Sequence, residues 1–387
     1  MDKTIQIHYS IMNTGVKKKI SGFRVNPSKS TFLARGMEMR TRMCYTMRGT
    51  NAEKWENGCM KEISILDVAR VRIGQAENAE AGTGVTVVVS EEGMPAGLDV
   101  RGGGPASRES QLLNPLMNAQ TIHAVVLSGG SAFGLDAAGG VQRYLEERGI
   151  GFDVGVTRVP IVCQASLFDL TVGSSSVRPD QEMGYRACVN AETNNYRDGN
   201  FGAGTGATVG KLEAVRRSMK AGMGSFAVQI GGLKVGAIVA LNAYGDIFDP
   251  ETGKQIAGLR SEDGKSLAST SERMYQAADK VKNRFVSAAV TANTTLGIVI
   301  TNAAFAKPQL CKIAGMAHDG FARAIRPVHT SVDGDSIFAV SAGEVEADLD
   351  MVGSLSADVT AKAILNAVRH AESAYGLPSW KELFGQE

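Results

Sequence analysis

Three stretches of this 387-residue chain put reactive residue types where chemistry would need them. Residues 291–303 read TANTTLGIVITNA, with Thr294 and Thr295 at the mouth of an apolar, β-branched run from Leu296 to Ile300. A threonine hydroxyl becomes a useful nucleophile only when a base takes its proton, so Thr294 needs partners. Threonine also starts strands well, and on local pattern alone that plain reading is the favoured one. Asn-Thr-Thr matches the N-glycosylation sequon as well, but nothing resembling a secretory signal accompanies it, so no glycan is expected.

The second stretch is GNFGAGTGATVGK (199–211). A P-loop requires glycine where Thr205 stands, and Ser or Thr where Leu212 follows Lys211. Gly202, Gly204 and Ala207 fit a dinucleotide fingerprint, yet no apolar strand precedes them. What remains is a glycine loop presenting Lys211. The third stretch is HTSVDGDSIFAV (329–340), where Asp333 and Asp335 flank Gly334 and a sharp turn can bring two carboxylates together. Calcium would need further EF-hand ligands that are missing. His318 and His329 could join the aspartates around a transition metal, but no HExxH-type spacing supports it, and such histidines are more often hydrogen-bonded structural residues. Asp-Gly-Asp also simply makes a turn before a strand. No G-x-S-x-G elbow appears, which counts against an α/β-hydrolase triad.

Elements must position these groups. GVTVVV (84–89) and HAVVLSGG (123–130) read as buried strands, the second leading into a helix from an N-cap at Ser131 to a C′ glycine at Gly149. Gly139 and Gly140 inside that helix cost about 1 kcal/mol each against alanine, which is tolerated where another backbone approaches closely. SFAVQI (225–230), Gly231-Gly232 and LKVGAIVALN (233–242) form a hairpin whose second strand ends at Asn242. A helix with Pro308 at its first position keeps Leu310, Ile313, Ala314, Ala317, Phe321 and Ala324 at helical spacing. SIFAVSAG (336–343) is a further strand, and residues 357–375 form the last helix, stopped by Gly376 and Pro378. Hairpins mixed with flanking helices indicate an α+β fold.

Composition sets the bounds. Hydrophobic residues make up 43% of the chain and glycines number 45, enough for a large, tightly packed core. Cys44, Cys59, Cys163, Cys188 and Cys311 are scattered, which suits a reducing cytoplasm better than a disulfide framework. The net charge of +1 points to neither a nucleic acid nor a membrane, and no apolar run is long enough to span a bilayer. The charge is uneven, however. Residues 1–62 carry 12 lysines and arginines against 5 acids and hold seven of the 15 methionines. Such an arm could bind RNA or act as a transit peptide. The favoured reading places 1–62 outside the fold, because Met60 opens MKEISILDVARVRIG like the start of a globular protein, leaving 63–387 as a single domain.

Seven segments taken together resemble one family. LDVRGGGPASRE (98–109), HAVVLSGGSAFGLDAAGGVQRYLE (123–146), VGVTRVPIV (154–162), SVRPDQEMGYRAC (176–188), GAGTGATVGKL (202–212), NTTLGIVITNA (293–303) and AHDGFARAIRPVHTSVDGDSIFAVSAGE (317–344) look like the L-aminopeptidase/D-Ala-esterase/amidase family, which includes a nylon-oligomer hydrolase. The resemblance runs in order from about 63 to 387. It implies a four-layer α/β/β/α sandwich similar to N-terminal-nucleophile hydrolases, a homo-oligomer (a tetramer of processed heterodimers) and no cofactor or metal. It also implies cleavage of Asn293–Thr294 into 1–293 and 294–387, with the freed Thr294 as nucleophile on small amide or peptide substrates.

By the same resemblance Asn242 matches an oxyanion donor, Lys211 a lysine near the nucleophile, and Asp333 with Asp335 a pair that orients it. The Asp-Asp pair resembles the nylon-oligomer enzyme rather than the aminopeptidases, yet that enzyme carries a tyrosine where Phe168 stands in the substrate region. Two other readings stay open: an acyltransferase like the ornithine acetyltransferases, and a non-catalytic binding or assembly protein on the same fold.

Overall fold

A computed structural model of the chain describes residues 60–213, 215–276 and 293–385. Among the described residues, two sheets carry the architecture. We number their strands in chain order: β1 (Lys61–Ile63), β2 (Arg72–Asn78), β3 (Thr83–Met94), β4 (Ala96–Val100), β5 (Ala106–Arg108), β6 (Ile122–Ser128), β7 (Val162–Ser166), β8 (Met223–Ile230), β9 (Leu233–Ala240), β10 (Leu296–Ala303) and β11 (Ser336–Val345). One sheet has the order β1-β8-β9-β10-β11-β4 and the other β2-β3-β6-β7-β5. The four main helices are α1 (Ala137–Glu146), α2 (Gln181–Ala191), α3 (Lys307–Ala324) and α4 (Leu349–Arg369).

The pairing explains where the helices lie. Neighbouring strands are antiparallel except β6–β7 and β10–β11, which are parallel. A parallel pair needs a crossover, and α1 and α3 supply one for each sheet. Ile238, Ala240, Leu296, Ile298, Ile300, Phe338 and Val340 face Ile73, Val88, Val125, Leu127 and Cys163 across the gap between the sheets. On the other faces, Val235, Ala237, Val239 and Val299 pack against Leu310, Ile313 and Phe321 of α3 and Ile364 of α4. Val85, Val87, Ala124 and Val126 meet Val141 and Leu145 of α1 and Ala187 of α2. The layers are therefore helix, sheet, sheet, helix, and strands covered on both faces read as continuous apolar runs.

The expected hairpin forms in register, with Ile230 opposite Leu233 and Gly231 at φ +55° in the turn. The doubled glycine in α1 also behaves as expected: a Cβ on Gly140 would stand 1.6 Å from the Gln181 carbonyl oxygen of α2, so only glycine permits that approach. Three boundaries differ from the sequence expectation. Ser131 does not cap an α-helix; it sits at φ +55° in a 3₁₀ segment, Ser131–Asp136, and α1 begins only at Ala137. The Gln164 amide donates to the Gly134 carbonyl at 2.7 Å, which holds that first turn away from α geometry. Pro308 is the second residue of α3, not the first. The last long helix is α4, not residues 357–375: Asp348 caps it through the Met351 amide at 2.8 Å, and it ends at Arg369.

The N-terminal arm lies outside the described residues up to position 59. Lys61 and Glu62, placed by sequence just outside the domain, instead pair with Gln229 and Val228 at the edge of the first sheet. None of the described helices is long and apolar enough to cross a membrane. Cys163, Cys188 and Cys311 are unpaired.

Candidate active site

The Asn293–Thr294 bond sits where three adjacent strands end. Leu296 pairs antiparallel with Ala240 of β9 and parallel with Ser336 of β11. The same pairing continues one step past the strands. The Thr294 amide donates to the Asn242 carbonyl at 3.1 Å, while Asn293 bridges to Asp333. The Asn242 main chain and the Asp333–Asp335 turn thus flank the bond as a consequence of register. All the groups are buried: Thr294 is 4% exposed, Lys211 4%, Asn242 0%, Asp333 2% and Asp335 1%.

The Thr294 hydroxyl lies 2.5 Å from the Asn293 carbonyl oxygen, which also accepts the Gly334 amide at 2.8 Å. The Thr294 hydroxyl thus donates to the Asn293 carbonyl oxygen, which a backbone N–H also polarises. A Cβ on Gly334 would come within 2.5 Å of the Thr294 hydroxyl, so the turn needs glycine there.

Lys211 donates its ammonium to the Asn242 carbonyl at 3.1 Å and to the Asn242 side-chain oxygen. Burial lowers its pKa to about 7; Asp333, Asp169 and Asp335 pull the other way and lose to desolvation. An amine with a pKa near 7 can hold or accept a proton under neutral conditions. Asp333 has its pKa raised by burial and by the neighbouring Asp335 charge, although the Thr330 hydroxyl and amide hold its carboxylate at 2.5 and 2.9 Å. Asp335 accepts the Thr295 amide at 2.8 Å on one oxygen and His329 on the other.

Asn242 is fixed by partners that each allow one role. Its side-chain oxygen accepts from Lys211 and from the Thr208 amide at 3.1 Å, and its NH₂ donates to the Phe168 carbonyl at 2.9 Å. Its amide thus points at the Phe168 main chain.

Sequence reasoning singled out Thr294, Asn293, Asn242, Lys211, Asp333 and Asp335, and these assemble around one bond. It assigned no role to Asp169, which accepts Thr83 and the Gly130 amide at 2.7 Å each and faces Lys211. Gly102 was passed over too. A Cβ there would stand 2.4 Å from both the Asp333 carbonyl and the Asp335 amide. The signal for it was the triple glycine 102–104, which marks close backbone approach. His318 and His329 are both hydrogen-bonded, to Asp99 and Asp335. Among the described residues no three His, Cys, Asp or Glu side chains gather as metal ligands do. A cleft of about 600 Å³ lined by Arg216, Arg217, Arg260 and Glu262 contains none of the site groups. Asn293 and Thr294 are buried, so cavity volume does not mark this cluster.

The helix–sheet–sheet–helix sandwich is that of the N-terminal-nucleophile hydrolase fold. Solved structures agree on the fold. The L-aminopeptidase D-Ala-esterase/amidase of Ochrobactrum anthropi, described as a variant of the Ntn hydrolase fold, superposes with a TM-score of 0.60 at 18% identity, over 81% of this chain and 86% of that one. A Burkholderia sp. β-aminopeptidase gives 0.57 at 19% identity, over 83% and 92%. By sequence, residues 64–379 match peptidase family S58, and the chain belongs to that family.

An uncharacterized aminopeptidase of Mycobacterium tuberculosis (strain H37Rv) is 36% identical over 348 residues, 83% of this chain and 98% of the relative. A 6-aminohexanoate-oligomer endohydrolase of Kocuria sp. is 28% identical, over 80% and 87%. The protein is a hydrolase acting on amide or peptide bonds.

Proposed function

We propose that the chain cuts itself between Asn293 and Thr294 and then hydrolyses amides with the freed Thr294. The observation that carries this reading is the 2.5 Å approach of the Thr294 hydroxyl to the Asn293 carbonyl, with the Gly334 amide on the same oxygen. The hydroxyl oxygen attacks the Asn293 carbonyl carbon through a five-membered ring and gives up its proton to a base. Lys211, whose pKa falls to about 7 and whose neutral amine can accept a proton, shares the Asn242 carbonyl with the Thr294 amide and is our candidate for that base. The C–N bond then breaks, the Thr294 nitrogen takes a proton, and an ester joins Asn293 to the Thr294 oxygen. One water hydrolyses the ester, leaving a carboxylate on Asn293 and a free amine and hydroxyl on Thr294.

The mature residue supplies nucleophile and base together. An unperturbed α-amine has a pKa of about 7.7–8.0, and a neighbouring lysine favours its neutral form. Substrate acylates the Thr294 oxygen, its amine leaves with the proton, and water releases the acid. Turnover then needs a donor for the oxyanion, and the Asn242 NH₂ takes that role once the cut chain and substrate rearrange around it. The substrate class is a small amide or peptide bearing a primary amine. Both the aminopeptidase relative and the 6-aminohexanoate-oligomer relative are named for such compounds, and the Asp333–Asp335 pair supplies negative charge for an ammonium.

Intact-mass and N-terminal analysis of the full chain tests the reading. The expected result is two fragments, 1–293 and 294–387, with hydrolysis of aminoacyl anilides or short ω-amino oligomers appearing as they form. A chain that stays whole yet hydrolyses amides overturns it.

A further inference from the structure

His329 is absorbed by neither step above, yet its conformation is costly. Its φ is +56°, in the left-handed region that a residue with a Cβ occupies at roughly 1–2 kcal/mol above the right-handed one. Glycine or asparagine would sit there more easily. A histidine kept in that conformation indicates a demand on its side chain. The conformation lets His329 place two donors on one oxygen: its backbone N–H at 3.1 Å and ring Nδ1 at 2.9 Å, both to Asp335 Oδ2. An ionised carboxylate only accepts, so the proton on this ring is at Nδ1.

The ring cannot turn away. The His318 ring packs edge-on against it with centroids 4.7 Å apart, and Phe321 stacks at 6.1 Å and 29°. Both neighbours come from α3 and are fully buried. His318 is itself tied to the Asp99 carbonyl at 3.1 Å, with the Asp99 carboxylate at 3.4 Å, and burial lowers its pKa so that it stays neutral. His329 Nε2 and His318 Nδ1 are buried with no hydrogen-bond partner among the described residues, so Nδ1 carries the polar contact of the His329 ring. On its far side, Asp335 Oδ1 holds the Thr295 amide at 2.8 Å, one residue past the nucleophile.

We propose that His329 is a positioning residue for the Asn293–Thr294 bond: its ring Nδ1 locks Asp335, which in turn locks the Thr295 amide and the aim of the Thr294 hydroxyl. This rests on the self-cleavage reading. The histidine touches no reacting atom and acts only through Asp335.

The test compares His329→Ala, His329→Asn and His329→Gln in the full chain by pulse-labelled expression and intact mass. Thermal unfolding is measured for each in a Thr294→Ala background, where cleavage cannot confuse the comparison. Asparagine places an amide nitrogen where Nδ1 stands and tolerates positive φ, whereas glutamine places it one bond further out, where Nε2 stands. Splitting should therefore slow by about tenfold or more in His329→Ala and His329→Gln, the loss of one hydrogen bond to a charged group. It should stay within about threefold of wild type in His329→Asn.

Unchanged splitting in His329→Ala overturns the inference. So do equal rates for His329→Asn and His329→Gln, a comparison that decides the matter alone if the alanine variant does not fold. Rates that merely follow unfolding temperature across the set overturn it as well, since they mark a structural residue. A wild-type chain that never splits at Thr294 overturns the self-cleavage reading itself. Wild-type splitting with insensitivity to position 329 removes only this inference.

Discussion

The Asn242 carbonyl oxygen accepts the Thr294 amide and the Lys211 ammonium, each at 3.1 Å. The Thr294 nitrogen and the lysine with a depressed pKa are therefore neighbours on one acceptor. While the bond is intact, the amide is neutral and the lysine is the charge that the pocket must solvate. Were the bond cut as proposed, two amines would share the carbonyl, and their repulsion would disfavour double protonation. On the proposed reading one arrangement would serve both stages: the lysine, once it has lost its proton, as a base before the cut, and as a brake on α-amine protonation after it.

Replacing the hydroxyl tests the nucleophile directly. Thr294→Ala should neither split nor hydrolyse, while Thr294→Ser keeps the oxygen at the same place and should retain both activities at reduced rate. The variant is expected to fold, because Thr294 contributes one backbone bond to Asn242 that alanine preserves. Mass spectrometry and an anilide assay read the two activities separately.

Asn242→Ala removes the amide assigned to the oxyanion of turnover. It should lower kcat by about 10²–10³, equivalent to about 2.7–4 kcal/mol. It also strips the side-chain acceptor from the Lys211 ammonium and the Thr208 amide, so some loss of stability accompanies it. Single-turnover splitting should suffer less than steady-state hydrolysis, because the Gly334 amide already sits on the scissile carbonyl at 2.8 Å. Equal losses in the two rates would count against separate donors.

Two glycines separate positioning from packing. A Cβ on Gly102 would stand 2.4 Å from main-chain atoms of both Asp333 and Asp335, so Gly102→Ala must push the turn off the Asn293 carbonyl. It should slow splitting strongly while costing about 1–3 kcal/mol of stability, as overpacking does. Gly140→Ala drives a Cβ to 1.6 Å from the Gln181 carbonyl, between α1 and α2 and away from the site. It should lower unfolding temperature, yet its folded fraction should split at the wild-type rate.

These contrasts also show what was legible beforehand. The strands were readable because Val85–Val89 and Leu296–Ile300 are covered on both faces and so carry unbroken apolar runs. Thr294, Lys211, Asp333 and Asp335 stood out as reactive types, but their assembly with Asn242 was readable only through the family likeness, since these residues lie far apart in sequence. Asp169 stayed hidden for the same reason, and His329, read as a hydrogen-bonded structural residue, gave no local sign of its positive φ or of Asp335 as its partner. Helix ends failed where a side chain from elsewhere intervened, as Gln164 does at Gly134.

Buried Lys220 gives a pH prediction with a definite sign. Its ammonium donates to the Gly204 and Ala207 carbonyls at 3.2 and 3.1 Å and to the Ala221 carbonyl, and burial lowers its pKa to about 7. The unfolded chain holds that proton up to about 10.4. Between these values the unfolded state binds more protons, so stability rises with pH through the window and is lost again as pH falls toward 7. Lys220→Met should flatten the slope by up to one proton, about 1.4 kcal/mol per pH unit, in urea unfolding between pH 8 and 10. An unchanged slope would mean that the folded-state lysine keeps an ordinary pKa.

Truncation locates the start of the domain. Lys61, Glu62 and Ile63 form β1, pairing with Gln229, Val228 and Ala227 along the outer edge of β8. A chain starting at Met60 keeps that strand and the Ser64 side-chain bond to the Leu66 amide at 3.2 Å, so it should fold, split and hydrolyse normally. A chain starting at Ser64 loses β1, uncovering the edge of β8 and its unpaired backbone groups, a template for association with other chains. The expected outcome is a lower unfolding temperature and more aggregation, with the splitting rate of the folded fraction unchanged because β8 is two strands from Thr294. Light scattering and mass spectrometry on the two truncations check this. If the Met60 chain fails to fold or to split, residues 1–59 belong to the working domain.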